Sequence, residues 1–274
     1  MPTAKVGDVN IYYESQGDGE PILLIQGYGQ YSGHWATMIP PLSRDYRVVS
    51  FDNRGTGRSD KPDIPYTMKM MADDAKGVLD AMGIDSAHVF GVSMGGMIAQ
   101  EFAVNYPDRL ISLILGCTQC GGTKTVLPTP EALAFLLSAE MLKLPVEARA
   151  RETTIWLWTQ EFIDKNPEAV ELYADITSKY PTPPHGFARQ AQAIMTHDTY
   201  DRLPQITAPT LVITGDADRI IPAENSRIIA SRIPNAELVM LENAGHGFFV
   251  ETVAESNRAI LDFLRRNSKG KKKT

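Results

Sequence analysis

The chain is short of cysteine, of long apolar runs and of positive charge, and each shortage removes a class of function. Its 274 residues hold two cysteines, Cys117 and Cys120, in the motif CTQC. With no second pair and no HxxxH-type partner they cannot complete a four-ligand zinc site. The adjoining Gly121 and Gly122 mark a loop, where small-residue packing is expected rather than redox work. No stretch approaches the ~20 apolar residues of a membrane helix. The segment from Met1 to Asn10 lacks the apolar core and cleavage-like site of a secretory signal, so a cytoplasmic, reducing location is expected. A net charge of -6 gives no support to nucleic-acid binding. The single basic run, KGKKKT, reads as a solvated, disordered tail over residues 269–274.

What the chain does have is a rhythm of buried strands and helices. KVGDVNIYYES and PILLIQ, joined by GDGEP, read as an N-terminal hairpin. Apolar runs follow at Arg47 to Phe51, His88 to Gly91, Leu110 to Leu115, Thr210 to Thr214 and Glu237 to Leu241. They alternate little, as strands buried on both faces of a parallel sheet do. Helical patterns lie between them at Thr67 to Met82, Met94 to Asn105, Ala223 to Arg232 and Val253 to Arg266. This alternation implies an open α/β sheet. The middle breaks it: from about Pro130 to His197 only helical segments occur, namely EALAFLLSAEML, VEARARETTIWLWTQEFI, PEAVELYADITSK and GFARQAQAIMTH. The expected organisation is an α/β core over residues 1–120 and 201–268, interrupted by a helical cap over 121–200.

Two glycine motifs carry the chemistry. ILLIQGYGQYSGHW, followed about twenty residues later by Asp52, approaches the dinucleotide-binding pattern of strand, glycine turn, helix and acidic residue. HVFGVSMGG argues for another use of that loop. Here a strand leads into G-V-S-M-G and then into a helix. Glycines two residues either side of a serine leave room for a sharp turn, which exposes Ser93 Oγ at a helix N-terminus, where negative charge is favoured. A serine hydroxyl needs a base, and the base needs an orienting acid. Of five histidines, only His246, in NAGHGFF, lies in a loop at the carboxyl end of a sheet strand, where such sheets place their sites. His34, His88, His185 and His197 lie elsewhere. For the acid, TGDADRIIP follows the strand LVIT, and spacing alone leaves Asp216 and Asp218 open.

QGYG, DNRGTGRSD, GVSMGG, and GDADRIIP followed by AGH stand in one order, and in this the sequence resembles the α/β-hydrolase fold family over essentially its whole length. The resemblance implies a mostly parallel eight-stranded sheet flanked by helices, with an inserted helical cap. Through a G-x-x-D pattern beginning at Gly215 it selects Asp218 as the acid and leaves Asp216 to the turn. It assigns the oxyanion hole to the backbone N–H groups of Tyr28 and Met94. It makes Asp52 and Arg54, in the DxRGxGxS turn, scaffold for the opening loop. The sequence departs from the family at Gln26, where histidine is common; an amide can hold the loop in its place. The glycine loop then serves a transient oxyanion rather than a pyrophosphate.

The expected chemistry is acyl transfer by Ser93, His246 and Asp218 without metal or cofactor, on a small-molecule ester or lactone. No nucleic-acid or membrane partner is expected, and monomer and homodimer both stay open. Apolar residues of the cap, Phe135, Leu136, Trp156, Trp158, Phe162 and Met195, are candidates for a pocket. Trp156, Phe135 and Met195 are taken from this set, and Phe248 from beside His246. The closest resemblance is to the carboxylesterase and enol-lactonase branches, including homoserine-lactone-cleaving members. The same constellation serves C–C bond hydrolases and cofactor-free perhydrolases, and some proteins of this fold are small-molecule receptors. A serine nucleophile argues against haloalkane dehalogenases and epoxide hydrolases, and Gly247 after His246 against hydroxynitrile lyases.

Overall fold

The computed structural model describes residues 2–136, 138 and 140–268; the tail expected over 269–274 lies outside them. Eight strands, β1 (Thr3–Val6), β2 (Val9–Gln16), β3 (Glu20–Ile25), β4 (Tyr46–Phe51), β5 (Ala87–Val92), β6 (Leu110–Gly116), β7 (Thr210–Gly215) and β8 (Ala236–Leu241), form one sheet in the order β1-β2-β4-β3-β5-β6-β7-β8. The β1/β2 and β2/β4 pairs are antiparallel, and every later pair is parallel. The expected N-terminal hairpin is therefore only half right. It closes between β1 and β2, whereas β3, beyond the GDGEP turn, lies between β4 and β5. Burial explains the placement: Ile22 to Ile25 are covered on both faces and need a neighbour on each side, while β2 ends in exposed residues suited to the rim.

Successive side chains of one strand feed two cores. Leu23 and Ile25 pack on one side of the sheet with α2 (Met68–Ala81), α3 (Met94–Asn105) and α9 (Glu224–Arg232). Ile22 and Leu24 pack on the other with α1 (Ile39–Leu42), α10 (Phe248–Glu251) and α11 (Val253–Asn267). Local signals set the helix limits. Thr67 caps α2 by accepting the Met70 N–H, a bond worth ~1 kcal/mol.

Between β6 and β7 the chain forms α4 (Pro130–Leu136), α5 (Val146–Leu157), α6 (Gln160–Lys165), α7 (Pro167–Lys179) and α8 (Pro184–Met195). A bridge between Gly121 and Asp198 ties the two ends of this insertion together. The segment expected as one helix from Val146 to Ile163 breaks at Trp158, which is extended, and Thr159 then caps α6 by accepting the Phe162 N–H. EALAFLLSAEML is likewise shorter as a helix than expected, ending at Leu136 with a 3-10 turn from Met141 to Lys143.

Candidate active site

Ser93 sits between β5 and α3 with φ 56° and ψ -123°, a conformation an L-residue holds only where its surroundings impose it. Two glycines make that turn possible. A Cβ at Gly91 would lie 2.1 Å from the carbonyl oxygen of Gly95, and one at Gly95 would lie 2.1 Å from the carbonyl oxygen of Ile25. The elbow thus presses directly on the end of β3. A Cβ at Gly27 would lie 3.1 Å from Ser93 Cβ and 3.6 Å from its Oγ, so the QGYG loop runs past the hydroxyl.

That loop is held from several sides. Gln26 Oε1 accepts the Gly27 N–H at 2.9 Å, and the Gln26 carbonyl accepts from Asn53 Nδ2 at 2.9 Å. The amide therefore braces the loop where family members often have histidine. Gln190 of α8, fully buried, accepts the Gly29 N–H at 2.8 Å and donates to the Arg54 carbonyl at 3.0 Å. Thr182 donates to the Gly29 carbonyl at 2.9 Å. The N–H groups of Tyr28 and Met94 find no acceptor among the described residues. They are the two that the family resemblance assigns to the oxyanion.

Asp52 and Arg54 are engaged away from Ser93. Asp52 accepts the N–H groups of Ser32 and Arg58, each at 2.8 Å, and Arg54 makes a forked pair with the buried Asp74 at 2.5 and 2.6 Å. Asp52 thereby ties the opening loop to the turn after β4, whereas Arg54 ties that turn to α2.

The tertiary structure separates the two aspartates. Asp218 Oδ1 accepts the N–H groups of Ile220 and Ile221, each at 2.8 Å, and its Oδ2 lies 2.7 Å from His246 Nδ1. Asp216 is exposed and accepts the Asn243 N–H in a surface turn. A neutral imidazole that donates Nδ1–H to Asp218 has its lone pair on Nε2. Neither Nε2 nor Ser93 Oγ has a hydrogen-bond partner among the described residues, and catalytic bonds of this kind commonly tighten only when substrate arrives. The histidine loop is anchored beside β5 and β6: a Cβ at Gly116 would lie 3.0 Å from Val92 and 3.2 Å from Phe248 Cζ.

A family model described as alpha/beta hydrolase fold matches residues 20–253. The chain belongs to the alpha/beta hydrolase fold family. It is 31% identical over 266 residues to a protein of Azorhizobium caulinodans provisionally assigned as the carbamate hydrolase RutD, covering 96% of this chain and 98% of that protein. The enol-lactonase of Burkholderia xenovorans superposes with a TM-score of 0.84 at 26% identity, over 96% of this chain and 100% of the other. An N-acyl homoserine lactone degrading enzyme does so with a TM-score of 0.83 at 29% identity, with the same coverage. Hydrolase chemistry is the activity that the family and these relatives support.

The expected pocket residues fare unevenly. Phe135 stacks on Trp156 with ring centroids 5.2 Å apart, and the Arg219 guanidinium lies 4.3 Å from the Trp156 ring. That stack stands beside the Asp218 loop. Met195 is 80% exposed as the last residue of α8, because the buried side of that helix runs through Gln190 and Ala193. It lines no enclosed site, and the expectation is corrected. Phe248 is fully buried in the core against Gly116, Val92 and Phe249, which corrects the reading of it as a pocket wall.

Residues that sequence reading missed are those of the insertion that touch the glycine loop and the histidine loop. Gln190 and Phe187 are unremarkable in a helical pattern, yet a Cβ at Gly29 would lie 2.2 Å from the Phe187 ring. Gly247 N–H donates to the Leu157 carbonyl at 2.8 Å, joining the histidine loop to the end of α5. Both cysteines are free and buried. Desolvation pushes both thiols up, Cys120 to about 11, so neither is a reactive thiolate near neutral pH. Among the described residues no three His, Cys, Asp or Glu side chains gather as a metal site, and no helix is long and apolar enough to cross a membrane.

Proposed function

We propose that the protein is a serine hydrolase of carboxylic esters or lactones, acting through an acyl-serine intermediate. The observation that carries the reading is the 2.7 Å contact between His246 Nδ1 and Asp218 Oδ2, at the same sheet end as the strained Ser93. In this reading His246 Nε2 takes the Ser93 proton as Oγ attacks the carbonyl carbon. Asp218 stabilises the imidazolium that forms. The N–H groups of Tyr28 and Met94 hold the oxyanion, each worth about 3 to 4 kcal/mol in the transition state. The tetrahedral intermediate collapses as His246 gives its proton to the departing alcohol oxygen. His246 then deprotonates a water that attacks the acyl carbon, and returns that proton to Ser93 Oγ as the acyl–serine bond breaks and the carboxylic acid leaves.

The helices between β6 and β7 act as the cap in this proposal, with residues 1–120 and 201–268 as the core. Its contacts to the Gly27 to Gln30 loop and to Gly247 support that division. A panel of p-nitrophenyl esters of several chain lengths, with lactones, tests the reading. Turnover in the wild type and its loss in Ser93→Ala is the expected result. Ligand binding with negligible turnover would overturn it in favour of a small-molecule receptor.

A further inference from the structure

Trp158 holds a buried hydrogen-bond donor with no acceptor among the described residues. Its Nε1 is sequestered from solvent, and the residue is 3% exposed. Leaving a buried donor unpaired costs stability, so such a group is retained where something else completes it. Trp158 is extended, at φ -123° and ψ 160°, just past the last turn of α5. The extended backbone carries its side chain off the helix surface on which Trp156 lies.

The indole lies against the histidine loop and is linked to the glycine loop through Tyr173. A Cβ at Gly247, the residue after His246, would lie 2.4 Å from Nε1 and 2.7 Å from Cδ1, so the N–H edge of the ring lies against the histidine loop. The ring meets Tyr173 edge-on at 5.7 Å, and the Tyr173 hydroxyl accepts from Gln30 Nε2 at 3.0 Å. Gln30 closes the turn that begins at Gly27, the loop beside Ser93 Oγ. Trp35 also carries an unpaired indole N–H, but its ring is walled by Phe90 and Phe249 in the apolar core. Of these two indole donors, only that of Trp158 has its N–H edge against the histidine loop.

Resting on the hydrolase reading above, we propose that Trp158 contacts the substrate, its indole N–H donating to an oxygen in the leaving-group half. The side follows from the chemistry. His246 delivers its proton to the departing oxygen, and the donor edge of Trp158 lies against the residue that follows His246. The preferred substrates are then esters or lactones whose alcohol part carries an ether, hydroxyl or carbonyl oxygen a few bonds from the scissile one. A donor already desolvated and fixed by packing discriminates sharply, because an analogue lacking the acceptor leaves it unpaired.

The test compares esters of equal size. 2-Methoxyethyl butyrate and butyl butyrate differ by an oxygen for a methylene on the alcohol side, and ethyl 3-methoxypropanoate and ethyl pentanoate differ likewise on the acyl side. Trp158→Phe removes the N–H and keeps an aromatic ring. Expected is a fall of about five- to tenfold in the kcat/KM ratio of the alcohol-side pair, with the acyl-side ratio unchanged. Because each ratio is taken within one protein, a general loss of activity cancels. Ratios that are the same in wild type and variant, or a change confined to the acyl-side pair, would overturn the proposal. If Trp158→Phe does not fold, the indole proton of Trp158 in Ser93→Ala decides. It should move downfield with 2-methoxyethyl butyrate and not with butyl butyrate; no difference between the two would count against the contact. Absence of Ser93-dependent turnover on all four esters would instead remove the hydrolase reading itself.

Discussion

Glu251 accepts both the backbone N–H and the hydroxyl of Thr159, at 2.7 and 2.8 Å, and its other oxygen accepts the N–H of Gly245. One carboxylate therefore fastens the start of α6 to the residue before His246. It also accounts for the break after α5, since the freed Thr159 N–H has an acceptor waiting. Burial pushes the Glu251 carboxyl above its usual range, and the three accepted bonds offset the cost of holding the charge there.

Glu251→Gln should loosen this join. An amide has one oxygen, and its NH2 would face either the Gly245 or the Thr159 donor. The expected outcome is a loss of about 1 to 3 kcal/mol in urea unfolding, with kcat falling more than KM changes. A variant as stable and as active as wild type would show that the histidine loop is held by other contacts.

The two aspartates after β7 should separate cleanly. Asp218→Asn keeps the shape beside His246 but removes the acceptor that orients the neutral imidazole. A fall in kcat of roughly ten-thousandfold is expected. Asp216→Asn, whose partner is the N–H of Asn243 in a surface turn, should stay within about twofold, as surface substitutions do. Steady-state kinetics on one ester checks both, and comparable losses in the two variants would contradict the assignment.

Tyr28→Phe should change little. Burial pushes its phenol up to about 12, so the hydroxyl is neutral near pH 7, and the group assigned to the oxyanion is the backbone N–H. Activity within about threefold of wild type is the expected reading, far from the hundredfold or more typical of a lost oxyanion donor. A loss of that larger size would implicate the phenol instead.

Acid should weaken the fold through two histidines. Burial pushes His34 and His197 down to about 4. Between the unfolded value near 6.5 and about 4, the unfolded chain binds a proton that the folded chain does not. Stability is therefore full above that window and is lost as pH falls through it, by roughly 3 kcal/mol per histidine. Urea unfolding at pH 7 and pH 4.5 should show the loss, and His34→Gln and His197→Gln should each reduce it. An equally steep loss in both variants would place the acid sensitivity elsewhere.

Much of this protein is legible along the chain because its causes are local. Apolar runs without alternation marked strands covered on both faces, and Met94–Asn105 began and ended where the glycine elbow and Pro107 set it. The GVSMG turn was readable because its demand for glycine at Gly91 and Gly95 is a steric fact about neighbouring backbone. What lay beyond reach depends on partners distant in sequence. β3 sits between β4 and β5 because both its faces must be covered, not because of the turn before it. What sets Asp218 apart from Asp216 includes its contact with His246, 28 residues on, which spacing along the chain does not show. Met195 has the hydrophobicity of a pocket residue, yet the packing of α8 turns it to solvent. Of the two cap tryptophans the sequence reading takes Trp156, but the Thr159 N–H turns to Glu251 after α5 and Trp158 meets the histidine loop. Backbone sterics and hydrophobic period determine the fold and the sharp turn at Ser93 from the sequence alone; which side chains surround that turn is decided by the packing of the inserted helices onto the sheet.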